Sequence, residues 1–307
     1  MPRPRLPACA ATVLAGVVVA TVAGCGGSTG EADGPVPATP TTTATASATA
    51  SPSPAPEPSQ EPSPSPEPGT VPPPWLGTRV LPKTTTGYAA PRATPRELRQ
   101  RRFTLPDTVR GLPGDGYASK VVSPPPADVL ARSTWEPGCP VAAEDLAWLR
   151  VTFRGFEGGR HTGELLVARS AADDLARVFA DLWDAGFPLE QMTITPRAAL
   201  DAPPTGDGNG TGAFVCRAVT GGTSYSQHAY GLAIDVNPFQ NPYVRELAGG
   251  RTVLPELAPS YLDRDDVRPG MITADGLVVR AFARIGWAWG GDYRSLKDFQ
   301  HFSATGG

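Results

Sequence analysis

Only three histidines occur among the 307 residues, so any site that needs imidazole must draw on His161, His228 or His301. Positive charge is not in surplus either. A formal net charge of -3 leaves no long basic face to neutralise phosphates, which excludes nucleic acid as a partner. The four cysteines include no CxxC-type cluster, which argues against zinc held by thiolates. No internal repeat is visible, and residues 26–74 contain no basic residue at all. Aromatic residues make up 7% of the chain and gather toward its C-terminal half, where the core is expected.

What is present begins with an export signal. Arg3 and Arg5 precede an apolar run, Leu6 to Ala23, which closes with Val22-Ala23-Gly24-Cys25. Small residues before a cysteine resemble a bacterial lipobox, in which Cys25 becomes the lipidated mature N-terminus. An ordinary cleaved signal with an incidental cysteine is the alternative. No basic stop follows the apolar run, which argues against a transmembrane anchor. The expected location is therefore extracytoplasmic, lipid-anchored to the outer face of the bacterial cytoplasmic membrane and reaching into the cell wall. Cys9 falls within residues 1–25, the signal, and leaves Cys139 and Cys216 as a pair. An oxidising compartment favours a disulfide between them, against two buried free thiols.

Residues 26–74 are dominated by Pro, Ser, Thr, Ala and Glu and cannot bury enough apolar surface to offset ordering entropy. They read as a disordered tether, with a maximum reach on the order of 150 Å at about 3.1 Å per residue. Residues 75–115 are transitional. Thr94-Pro95-Arg96-Glu97 has the form of a capping box, predicting a short helix. Arg92, Arg96, Arg99, Arg101 and Arg102 then form its solvated face, contact with anionic wall polymer or lipid headgroups being the alternative.

The folded domain is expected over 116–307. Gly163 to Ala168 reads as a strand. Ser170 caps a helix whose Leu175, Val178, Phe179, Leu182 and Trp183 make an apolar stripe, ended by Gly186 and Pro188. A second helix is expected from Thr273 as cap, with Val278, Ala281, Phe282 and Ile285 inward and Gly286 as stop. After it, GWAWGGDY predicts a strand turning at Gly290-Gly291. These elements describe a single α+β domain with a small antiparallel sheet flanked by helices, acting as a monomer.

The chemistry centres on SYSQHAYGLAID, residues 224 to 235. As a strand, Leu232 to Val236 puts Leu232, Ile234 and Val236 on one face and Ala233 and Asp235 on the other. Gly231 lets the backbone bend, so that His228 and Asp235 can converge; a purely structural Asp–His hydrogen bond is the bland reading. DFQHF, residues 298 to 302, supplies another histidine with a carboxylate three positions earlier. Two imidazoles and one carboxylate form the three-ligand set of zinc hydrolases, which leave a fourth position for water. A further carboxylate outside the set serves as general base. His228, Asp235 and His301 are thus the expected Zn²⁺ ligands, and Asp298 the base.

SxHxxGxAxD, here Ser226 to Asp235, followed distally by carboxylate-x-x-His-Phe, resembles the D-alanyl-D-alanine carboxypeptidase family of zinc peptidases. That family includes VanY-type carboxypeptidases and phage L-alanyl-D-glutamate endolysins. The resemblance runs from about Cys139 to Phe302, with GRHTGELLV, FPLEQM, AFVCR, DVNPFQNPYV and WAWGGDY as its softer parts. It implies a zinc-peptidase domain that hydrolyses peptidoglycan stem peptides, removing a terminal D-alanine or cleaving within the stem. A non-catalytic wall-binding lipoprotein that keeps a zinc site is the rival from another class. By position, the resemblance implies His228, Asp235 and His301 as ligands and Asp298 as the catalytic carboxylate, often glutamate in relatives. Arg217 would hold a substrate carboxylate or stabilise the oxyanion, or else form a surface ion pair. Ser226 would orient a ligand, bind substrate or stabilise a turn. Trp289, with Trp287, would wall the peptide cleft or pack in the core, and Asn237 would support a ligand. His161 lacks a carboxylate at useful spacing and reads as structural or pocket-lining. Gly206 to Gly212 departs from the more Asn/Ser-rich family pattern, which puts any substrate contact there in doubt.

Overall fold

Two amphipathic stripes and one long hairpin seed the main core. The computed structural model describes residues 66–84, 89–219, 222–248 and 250–306; the export signal, Cys25 and residues 26–65 of the tether lie outside them. In chain order the elements are β1 (Ser119–Val122), α1 (Ala127–Ala131), β2 (Leu146–Arg154), β3 (Arg160–Ala168), α2 (Ala172–Asp184), β4 (Gln191–Met192) and β5 (Gly210–Thr211). Then follow β6 (Ala233–Asp235), β7 (Tyr243–Leu247), β8 (Gly250–Leu254), α3 (Leu277–Arg284), β9 (Ala288–Trp289), β10 (Lys297–Asp298) and β11 (His301–Ser303). The class is α+β. Instead of one small sheet there are three antiparallel three-stranded sheets, ordered β1-β2-β3, β10-β7-β8 and β6-β11-β9, and a parallel β4-β5 pair. Among the described residues no helix is long and apolar enough to cross a membrane.

Alternation along β2 turns Ala147, Leu149, Val151 and Phe153 inward, opposite Leu165 and Val167 of β3. Against them α2 lays Leu175, Val178, Phe179 and Leu182, and α3 adds Val278, Ala281 and Phe282, while Trp183 is buried under the Arg154 guanidinium, 3.7 Å from its ring centroid. Each of the Leu, Val and Phe side chains contributes about 1.5–3 kcal/mol on burial. The helix ends differ from expectation. Ser170 lies in a 3₁₀ turn, Arg169–Ala171, with Ala171 as the N-cap of α2, and Gly276 rather than Thr273 precedes α3. Neither helix has a side-chain cap, so their packed faces carry the stability.

The packing reaches upstream of residue 116, where the sequence places the domain's start. Leu81, Ala89, Leu98 and Phe103 share a second core with Phe239, Leu257, Tyr261 and Met271. Residues 66–74, assigned to the tether, include buried Gly69, whose carbonyl accepts from Arg102 N–H at 2.8 Å. The expected short helix is a three-residue 3₁₀ turn, Arg96–Leu98. No capping box forms, because Thr94 Oγ1 instead accepts from Ser260 N–H at 3.0 Å. Arg101 is not on a solvated face. It is 2% exposed and paired bidentately with Glu190, at 2.7 Å from Nε and 2.6 Å from Nη2. A buried charge demands such a partner, and Arg101 Nη1 also donates to the Asp207 carbonyl at 2.7 Å.

Candidate metal centre

The first candidate ligand, His228, sits on a turn built by its neighbours. Ser226 is the N-cap of the 3₁₀ turn Gln227–Tyr230, its Oγ accepting from His228 N–H at 3.3 Å. Gly231 closes the turn at φ 68°, a conformation that glycine adopts without a Cβ penalty. Its carbonyl accepts from Ala168 N–H at 2.9 Å, and a Cβ here would lie 2.4 Å from that nitrogen. The turn is thereby fastened to the end of β3. His228 Nδ1 donates to the Ala213 carbonyl at 2.5 Å, which leaves Nε2 as the lone-pair nitrogen of the neutral ring.

The other two candidate ligands are brought together by strand register. β11 runs antiparallel to β6 with His301 directly opposite Asp235, so both side chains leave the same face. On the reverse face Ile234, Val236 and Phe302 enter the main core. The contact distances are 3.0 Å for His301 Nδ1 to Asp235 Oδ1, 3.2 Å for His228 Nε2 to His301 Nδ1 and 3.3 Å for His228 Nε2 to Asp235 Oδ1. Zinc bonds of 2.0–2.1 Å in a tetrahedron separate ligand atoms by about 3.3 Å, so this triangle fits that ion. Each of the three contact atoms carries a lone pair that can face an ion. Burial opposes ionisation of Asp235, but the two imidazoles outweigh it and hold the carboxyl well below the usual carboxylate range.

Asp298 lies beside the trio on β10, opposite Tyr243. Its Oδ1 is buried with no hydrogen-bond partner among the described residues. Burial first, and then the charge of Asp235, push its pKa up to about 6. Gly290 permits this neighbourhood: a Cβ there would lie 2.9 Å from Asp298 Cβ and 3.2 Å from His301 Cβ. Arg217 is exposed and donates to the Ala218 carbonyl at 3.0 Å. Burial works to lower the His301 pKa, but Asp235 and Asp298 outweigh it and raise it above the ordinary value, with the Arg217 charge opposing them. Cys139 and Cys216 are joined, with Cα atoms 5.9 Å apart, and so anchor the residue that precedes Arg217.

Other expectations change. Trp289 is 6% exposed and gives its indole N–H to the Phe299 carbonyl at 2.8 Å; Trp287 is buried against Phe282. Both therefore pack inward and do not wall a cleft. Ser226 caps the His228 turn. Asn237 supports no ligand: its Nδ2 donates to the Pro188 and Gly270 carbonyls at 2.8 and 3.3 Å, tying two loops together. His161 does have carboxylate partners, Glu157 four residues earlier and Asp107 at 2.8 Å, away from the trio. The Gly206–Gly212 loop is internal bracing, with Asn209 joining Glu190 to Phe239 N–H. Sequence reasoning missed Tyr293, whose buried hydroxyl shares the neighbourhood of Asp298 and Asp235 and whose ring centroid lies 6.4 Å from that of His301. Its place two residues after the Gly290-Gly291 pair was the available signal.

Residues 220–304 match the family model described as D-alanyl-D-alanine carboxypeptidase. The resemblance carried by the sequence motifs thus has a match over that segment, which contains His228, Asp235, Asp298 and His301. No curated protein and no solved structure matches the chain.

Proposed function

We propose that the protein is a zinc-dependent peptidase of peptidoglycan stem peptides, most simply a D-alanyl-D-alanine carboxypeptidase. The observation that carries this reading is the triangle of His228 Nε2, Asp235 Oδ1 and His301 Nδ1, with edges of 3.0–3.3 Å. These residues would hold the ion, which when bound supplies Lewis acidity and a water acidified toward neutrality. Asp298, with its free Oδ1 and raised pKa, takes the proton of the attacking water and delivers it to the leaving amine. Arg217 faces the developing oxyanion or the C-terminal carboxylate of the substrate. The turn built on Ser226 and Gly231 keeps the His228 ring in place.

The same proposal places the single zinc-peptidase domain, as a monomer, outside the cytoplasmic membrane, held by a lipid on Cys25 and extended into the wall by the Pro/Ser/Thr-rich tether. The disulfide between Cys139 and Cys216 supports an oxidising compartment. The test is to incubate purified protein with stem pentapeptide, with and without chelator, beside Asp298→Ala. Wild type should release product only without chelator, and Asp298→Ala should lose about 10²–10⁴-fold in kcat while retaining bound zinc. Zinc binding without turnover in wild type would favour the non-catalytic wall-binding module. Product masses separate release of terminal D-alanine from cleavage within the stem.

A further inference from the structure

A groove of about 590 Å³ is lined by Arg110, Arg132, Arg150, Trp148, Glu164 and Thr193, among others. It opens on the face of the β2–β3 hairpin turned away from α2, because Trp148 and Arg150 alternate with the core-facing Ala147, Leu149 and Val151. Glu164 is the one carboxylate in the lining, and it is already taken: Arg132 grips it bidentately and Trp148 Nε1 donates to it at 2.7 Å. The Arg150 guanidinium lies 4.7 Å over the Trp148 ring, and its Nε is buried without a hydrogen-bond partner among the described residues. Three arginines against one carboxylate leave an excess of two positive charges.

One residue of the groove's lining, Thr193, is linked to the metal centre through the backbone. β4 pairs with β5 in parallel register, Met192 beside Thr211, and Thr193 N–H donates to the Thr211 carbonyl at 3.3 Å. The next step sets Thr193 beside Gly212, which exchanges hydrogen bonds of 3.1 and 2.9 Å with Asp235. Asp235 in turn faces His301. Thr193, Gly212, Asp235 and His301 therefore form one cross-strand row on one face, while Met192, Val236, Ile234 and Phe302 lie on the core side. At about 4.8 Å per strand, Thr193 is about 10 Å from Asp235, with a glycine between them.

We propose that the groove is a subsite for a carboxylate of an acidic peptide whose scissile bond lies at the metal centre, which rests on the peptidase reading above. In a stem peptide this is the free α-carboxylate of the γ-linked D-glutamate, two residues ahead of the terminal bond. Two residues span at most about 7 Å, and the γ-linked branch carries the carboxylate on to the Thr193 edge of the groove. Arg150 supplies the free guanidinium, with Arg110 at the rim, and Glu164 holds Arg132 in place as part of the wall.

The experiment compares L-Ala-γ-D-Glu-L-Lys-D-Ala-D-Ala with the same peptide carrying D-isoglutamine, using the full chain, Arg150→Gln and Arg110→Gln. Wild type should show a KM about tenfold lower for the acid than for the amide, and Arg150→Gln should erase most of that ratio. Arg110→Gln, at an exposed position, should reduce it if Arg150→Gln fails to fold. If wild type hydrolyses both peptides with equal KM, the groove proposal is overturned while the peptidase reading stands. If neither peptide is hydrolysed, the peptidase reading falls and calorimetric binding with chelator present judges the groove. Tighter binding of the acid, lost in Arg150→Gln, supports the subsite; equal binding of acid and amide overturns it.

Discussion

Replacing Gly231 with alanine tests how the backbone holds the first ligand. At φ 68° an L-residue loses about 1 kcal/mol or more for the left-handed conformation alone. The added Cβ would lie 2.4 Å from Ala168 N and 2.8 Å from Val167 C, both backbone atoms that cannot swing aside. Ordinary contact starts at 3.4 Å, so either the end of β3 or the His228 turn must shift by about 1 Å. Such a shift breaks the 2.9 Å bond from Ala168 N–H to the Gly231 carbonyl and strands a buried donor, a further loss of about 2 kcal/mol. The expected destabilisation is about 3 kcal/mol, accompanied by weaker zinc binding as His228 Nε2 leaves the triangle. Gly186 is the control. It has φ 67°, and a Cβ added there would meet nothing within 4 Å, so Gly186→Ala should lose only the conformational part, about 1 kcal/mol. Urea unfolding of the apo protein measures both, and zinc titration reports the site. Equal losses for the two variants, or Gly231→Ala with unaltered zinc affinity, would refute the reasoning.

Arg101→Met alone leaves buried Glu190 without its cation and should reduce stability by about 3–5 kcal/mol in urea unfolding; adding Glu190→Leu should restore most of that loss. If the double variant is no better than the single one, unpaired charge is not the cause. For His161, burial works to lower the pKa, but Glu157 and Asp107 outweigh it and raise it above the ordinary value. The stabilisation is therefore fully present below the unfolded-state pKa of about 6.5 and is lost as pH rises through the folded-state value. His161→Gln should cost about 1 kcal/mol at about pH 6 and less at about pH 9, read by thermal unfolding at each pH; a cost that grows with pH contradicts the assignment. Opening the disulfide with Cys139→Ser and Cys216→Ser releases a loop with a sequence separation of 77 residues. The loss should be about 4 kcal/mol, measured by denaturant midpoint, and an unchanged midpoint would show that other contacts close that loop.

Much of the site was legible because its signals are local. Asp235 differs from its neighbours by strand alternation, and the α2 stripe marks a helix by its own spacing. Positions whose job is set by distant chain were not legible. Trp289 looked available for substrate until Phe299 took its indole N–H, and Asn237 looked like a ligand's support until two loops claimed its amide. Arg101 looked solvated in a run of arginines, and only the arrival of Glu190, 89 residues away, explains its burial.

Residue type and short-range spacing thus dictated which groups could bind an ion, where the helices run, and which strand face carries the carboxylate. Folding alone settled that His301 stands opposite Asp235 across 66 residues of chain, that Arg150 and Thr193 line one groove, and that Trp289 turns inward. The physical reason is one of range. Dihedral preferences and side-chain periodicity act within a few residues, whereas strand register and buried charge pairing are chosen by the packing of the whole core.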